Sequence, residues 1–280
     1  MAKQRELFFV ILGFFLLFVS VDSLASEENR DHISIGQKVY QGQRDYVFRD
    51  QFGREAIFRG WNVSGAVKLI SMNFMPFKNT KDARRAFKDL RKRTGTNIVR
   101  FTIGWEGVHT GPNQYNKEYL NQIVSQMKAA IENKIHVIVD YHQDLYSRYI
   151  WHKKSKFSGN GAPKWIIPKR ILQKREKCLL CTHWGVNNKL NKVTMEAFRS
   201  FWNNEKVIYQ GGEYFVQDEF IKQVGAMARA VKTGLTPDEF SYIIGINPFN
   251  EPVDGGMEKL SPNEWYHKKL YPLWINFHNQ

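Results

Sequence analysis

Four apolar runs, each ending in polar residues and separated by helical patterns, limit what this chain can fold into. Asn97 to Trp105 (NIVRFTIGW) and Ile135 to Tyr141 (IHVIVDY) are rich in β-branched and aromatic residues, as strands covered on both faces are. Ala56 to Trp61 precedes them, and Tyr242 to Ile246 follows and runs on into Asn250, Glu251 and Pro252. Between the runs, Ala83, Ala86, Phe87 and Leu90 recur at helical spacing within Lys81 to Arg93, with Thr80 expected as N-cap and Gly95 as stop. Leu120, Ile123, Val124, Met127 and Ile131 make a second stripe, and Phe220, Val224, Met227 and Val231 a third. Strands alternating with helices call for an α/β fold with parallel strands.

Two stretches depart from that rhythm. Tyr46 to Phe58 reads as a small hairpin turning at Asp50 to Gly53, preceded by a polar, flexible lead-in over residues 26–45. Residues 145–213 show no clear period and are expected to form a long inserted loop, of the kind that often binds substrate.

The start of the chain reads as an address. Lys3 and Arg5 precede the apolar stretch Leu7 to Val19, and Ser23 and Ala25 are small residues placed for cleavage, so residues 1–25 fit a secretory signal peptide. The stretch is short for a membrane span of about 20 residues. The rest is expected to be secreted, as one domain over residues 46–280. A formal net charge of +14 suits acidic glycans or an anionic membrane surface, and a secreted destination argues against nucleic acid. Cys178 and Cys181 leave a short-loop disulfide open, whereas two cysteines and His183 are too few for a structural zinc site. No metal set and no Gly-rich phosphate loop appears, so no cofactor is expected.

The polar residues at the strand ends carry the chemistry. Arg100 lies in the second strand, His142 and Asp144 follow the third, and Asn250 and Glu251 follow the fourth. In a (β/α)8 TIM barrel, strand ends of this kind gather on one rim and build the active site. The segments RGWN (59–62), IVRFTIGW (98–105), VDYHQDLYSR (139–148) and NPFNEP (247–252) resemble the first four strand motifs of the retaining family 5 glycoside hydrolases. DYHQDLYSR together with GAPKW (161–165) is similar to endoglycoceramidases and their relatives.

The resemblance implies a (β/α)8 barrel of which this chain supplies about the first four βα units, and a glycolipid or glycan substrate. It also implies that Glu251 is the general acid and base, that Asn250 holds the sugar 2-hydroxyl, and that Arg100 orients a nucleophilic carboxylate. His142 then bonds sugar hydroxyls or that carboxylate, while Asp144, Lys68 and Trp165 grip the sugar nearest the lipid. Each residue also has a plainer reading. Glu251 could start a helix, Arg100 and His142 could be satisfied within the core, and Asp144 could cap a loop. Lys68 could be an ordinary surface lysine, and Trp165 could pack under the inserted loop. Asn62 opens a glycosylation sequon, yet it is expected to stay unmodified because the resemblance puts it at the end of the first barrel strand.

The retaining reaction needs a second carboxylate about 5–5.5 Å from the first. The resemblance places that nucleophile after a seventh strand, and Glu258 and Glu264 stand in a polar, loop-like stretch that does not nominate either. The chain therefore reads as the N-terminal portion of a longer hydrolase. The resemblance implies cleavage between an oligosaccharide and ceramide; the alternatives are hydrolysis of other β-glucosides, such as steryl glucosides or β-glucans, and a non-catalytic glycolipid or glycan binder that has lost the nucleophile.

Overall fold

A computed structural model describes residues 33–152, 159–176, 184–257 and 260–280. The leader, both cysteines and Glu258 lie outside them. Two compact units divide at Ile57 and Phe58. Among the described residues, no helix is long and apolar enough to cross a membrane.

The first unit is an antiparallel hairpin of β1 (Ser34–Tyr40) and β2 (Gln43–Arg49). It occupies part of the segment expected to be a flexible lead-in, and it starts earlier than the expected hairpin. Ile35 and Val39 share one face of β1, and Gln41 and Gly42 turn the chain with φ of 47° and 79°, as a two-residue hairpin turn requires. The turn at Asp50 to Gly53 does form, with Asp50 Oδ1 accepting from the amides of Phe52 and Arg54 at 2.9 Å. It leads only into an isolated bridge between Arg49 and Glu55 rather than into a second long strand.

The second unit is built on a four-stranded parallel sheet of β3 (Gly60–Val63), β4 (Ile98–Ile103), β5 (His136–Tyr141) and β8 (Ile243–Asn247), in the spatial order β8-β5-β4-β3. Gly60 lets β3 pair with β4, since a Cβ there would collide with the Ile98 carbonyl. The sheet is open, so these are four consecutive βα strands of a barrel and not a closed one. Helices α1 (Thr80–Thr94) and α2 (Lys117–Ile131) carry the first two crossovers and bury Ala83, Phe87, Ile123 and Met127. Asn79, not Thr80, caps α1, its side chain accepting from the Asp82 amide at 2.8 Å; Gly95 closes the helix at φ 68° as expected.

The inserted segment is more ordered than its sequence suggested. It holds the helices Lys169–Lys174 and Trp184–Leu190, then α3 (Lys192–Trp202) and a second hairpin of β6 (Lys206–Tyr209) and β7 (Gly212–Phe215). The reason is local: Val193, Ala197, Phe198 and Phe201 line one side of α3, and the Asn191 side chain caps it at 2.9 Å from the Thr194 amide. Helix α4 (Val216–Gly234) then leads to β8, and α5 (Tyr271–His278) ends the chain. The rings of Phe201 and Phe220 close on Phe249 with centroids 5.0 and 5.4 Å away. Those contacts fix the backbone one residue before Asn250.

Candidate active site

Side chains from β4, β5 and β8 converge on one buried carboxylate, that of Asp140 near the end of β5. Its side chain is fully buried, and Oδ1 accepts from Arg100 Nη2 at 2.6 Å and from Asn247 Nδ2 at 2.7 Å. Oδ2 stands 3.2 Å from His142 Nδ1. The strand register puts Asp140 opposite Thr102 on β4 and Asn247 on β8, so the pleat points the carboxylate where both neighbours can reach it. Arg100 Nη2 also donates to Asn250 Oδ1 at 2.6 Å, which joins the second and fourth barrel strands directly.

The cluster extends outward through His142. His142 Nε2 lies 3.6 Å from Asp144 Oδ2, and the same oxygen takes Lys68 Nζ at 2.5 Å. Burial pulls the His142 pKa down, but its bonds to Asp140 and Asp144 outweigh that and leave it raised. Burial pushes the Asp144 carboxyl up, and the opposing pull of His142 and Lys68 leaves it below the ordinary carboxylate range. Lys68, Asp144, His142, Asp140 and Arg100 thus form one continuous chain of contacts.

Asn250 and Glu251 are seated by Gln143. The Gln143 Nε2 donates to the carbonyls of Asn250 at 2.9 Å and Glu251 at 3.2 Å, while Asn250 Nδ2 donates to the Gln143 carbonyl at 3.0 Å. Asn250 is 4% exposed and engaged at both ends of its amide, which leaves one N–H for a ligand. Glu251 adopts φ 45°, a left-handed conformation that carries a cost for any residue but glycine, and its side chain is exposed.

Five of the seven nominated residues thus join through their side chains, Arg100, His142, Asp144, Lys68 and Asn250, while Glu251 is tied in by its backbone carbonyl alone. Trp165 is not brought into the cluster. Its indole Nε1 donates to the His109 carbonyl at 3.3 Å, and its ring packs against His109, Tyr209 and Tyr214 under the inserted segment. There it lines a separate cavity of about 550 Å³ with Glu106, Tyr149 and Lys164. Asp140, Asn247 and Gln143 were not singled out from the sequence. The signal was available, because an arginine in an apolar strand requires a buried partner, and Asp140 is the acid of the neighbouring strand.

Glu264 has a different task. It completes a capping box with Ser261 at the start of a short helix, and the bonds from Ser261 and Lys268 bring its pKa to about 2. Among the described residues, no group of three or more His, Cys, Asp or Glu side chains is arranged to hold a metal ion.

Residues 52–231 match the family model described as cellulase (glycosyl hydrolase family 5), a span that ends before Asn250 and Glu251. The chain is 31% identical over 140 residues to a glucosylceramidase of Aspergillus fumigatus, covering 43% of this chain and 17% of that protein. It is 26% identical over 152 residues to an endoglycoceramidase of Hydra vulgaris, covering 54% of this chain and 27% of that protein. Its fold superimposes on endo-glycoceramidase II from Rhodococcus sp. with a TM-score of 0.59 and 25% identity, over 82% of this chain and 47% of that one. The chain therefore spans about half the length of that solved relative, and its open sheet corresponds to part of a barrel. By the extent of the family match and the strand-end residues that accompany it, this chain belongs to glycosyl hydrolase family 5.

Proposed function

We propose that this chain carries the acid/base side of a retaining glycoside hydrolase that cuts the bond between an oligosaccharide and ceramide. The observation that carries the reading is the Asp140 cluster, which ties Arg100, His142 and Asn250 together immediately beside Glu251. In the reaction, Glu251 protonates the glycosidic oxygen and, once ionised, takes a proton from the attacking water. The free N–H of Asn250 bonds the sugar 2-hydroxyl. Arg100 has five donors, so with Nη2 engaged it retains others for a nucleophilic carboxylate. His142, Asp144 and Lys68 form a polar edge for sugar hydroxyls.

The glucosylceramidase and endoglycoceramidase relatives support a glycolipid substrate, and steryl glucosides and β-glucans present a bond of the same kind. The reading includes secretion by the N-terminal leader. It also includes recruitment to anionic membrane surfaces by the net charge of +14.

One observation favours a second reading, a glycan binder without turnover. Lys68, Asp144, His142, Asp140 and Arg100 form a continuous polar edge suited to holding sugar hydroxyls, and its contacts do not depend on a second catalytic carboxylate. Release of sugar from a glycosphingolipid, compared between the wild type and Glu251→Gln, tests the first reading. Loss of release with retained binding supports it, and unchanged turnover removes it.

A further inference from the structure

Arg148 holds together the ends of three successive strands. Its Nε lies 2.9 Å from both Glu106 oxygens, and Nη2 reaches Glu106 Oε1 at 2.6 Å and the Lys68 carbonyl at 2.9 Å. Glu106 follows β4, Arg148 follows β5, and Lys68 ends the single helical turn Gly65–Lys68 that follows β3. The pair is enclosed, with side-chain exposures of 12% for Arg148 and 3% for Glu106, and the guanidinium lies over the Phe74 ring at 5.5 Å.

The two ends of that turn have different anchors. Thr102 Oγ1 lies 3.0 Å from the carbonyls of Val63 and Ser64 at its entry, and Ser64 Oγ donates to the Pro76 carbonyl at 2.6 Å. At its exit Arg148 takes the Lys68 carbonyl, and the Lys68 side chain goes on to Asp144. A buried ion pair adds little stability over an apolar pair of the same shape, so stability alone does not account for Glu106 and Arg148. A planar fork that holds three acceptors at fixed angles does account for a carbonyl kept in one place.

We propose that Glu106 and Arg148 are positioning residues that set Lys68 against Asp144 and so fix the sugar-gripping edge of the site. The proposal rests on the glycosidase reading for its consequence, but its geometry is testable without turnover. Arg148→Lys is the informative variant in the full chain. It keeps a cation facing Glu106, while an ammonium lacks the fork that also spans to the Lys68 carbonyl.

The first measurement is the titration of the Asp144 carboxyl by side-chain NMR, with circular dichroism as the check on folding. In folded Arg148→Lys the Asp144 pKa rises from its lowered value, because Lys68 Nζ is no longer held against it. Glu106→Gln, which keeps the shape of the pair, moves Asp144 in the same direction by less. An unmoved Asp144 in a folded variant overturns the proposal. If both variants fail to fold, the pair is a folding strut and the proposal falls as well.

The second measurement is hydrolysis of a glycosphingolipid, where Arg148→Lys raises KM about tenfold and leaves kcat within about twofold. A fall in kcat at constant KM counts against positioning. A wild type that turns over no glycoside, together with a shifted Asp144, removes the glycosidase reading and leaves the positioning role standing.

Discussion

Arg100 and Asn250 stand 150 residues apart in the chain and 2.6 Å apart in space. Their bond places the residue before the proposed acid at a fixed distance from the buried charges of β4 and β5. Glu251→Gln is accordingly expected to lower turnover by about 10²–10⁴ while leaving glycan affinity within a few-fold. Steady-state hydrolysis and calorimetric titration of the same variant separate the two effects, and a loss of both together argues for misplacement instead.

Asp140 accepts from Arg100 and Asn247 and meets His142, so Asp140→Ala leaves these groups without their acceptor. Arg100 is 26% exposed, and solvent offsets part of that loss. The expected destabilisation is about 2–3 kcal/mol. Urea unfolding followed by tryptophan fluorescence measures it, and a change below about 0.5 kcal/mol contradicts the central role given to Asp140.

The His142 pKa is raised in the folded protein, so its protonated form is the one that folding favours. Its stabilising contribution is fully present below the unfolded value of about 6.5 and is lost as pH rises through the folded value. The gap in unfolding midpoint between wild type and His142→Gln is therefore expected to narrow from about pH 6.5 upward. A gap that widens over that range reverses the sign of the argument.

Phe201 is fully buried and faces Trp202, Phe220 and Phe249. Phe201→Ala is expected to cost about 3–5 kcal/mol through the cavity it leaves, and to loosen the segment that bears Asn250 and Glu251. Denaturant midpoints report the first effect, and backbone amide exchange over residues 247–251 the second.

Binding to vesicles tests the proposed recruitment. Retention on anionic vesicles is expected to fall as salt rises from about 0.05 to 0.5 M, with weak binding to neutral vesicles throughout. Equal binding to both, insensitive to salt, removes the electrostatic account.

The strands were legible because NIVRFTIGW and IHVIVDY must be covered on both faces, and their observed bounds shift by only a residue or two at most ends. Most of the nominated residues were legible for the same reason: polar groups at the ends of parallel strands share a rim wherever they lie in sequence. The inserted segment was not, since its short helices depend on side chains such as Val193 and Phe198 that find their partners on α4 and after β8. Asp140 escaped notice because it lies inside a strand that otherwise reads as apolar. Trp165 was drawn toward the sugar by its motif, while its surroundings give its indole N–H to the His109 carbonyl.

β5 and β8 pair across the whole inserted segment, whereas β4 and β5 are joined by a much shorter connection that ends in α2. Among the described strands, β8 is also the outermost on its side of the sheet. The strand that bears the proposed acid is therefore registered against β5 through contacts distant in sequence, which form only once the chain between them has been ordered. A lesion in the inserted segment can thus displace the proton donor without touching it.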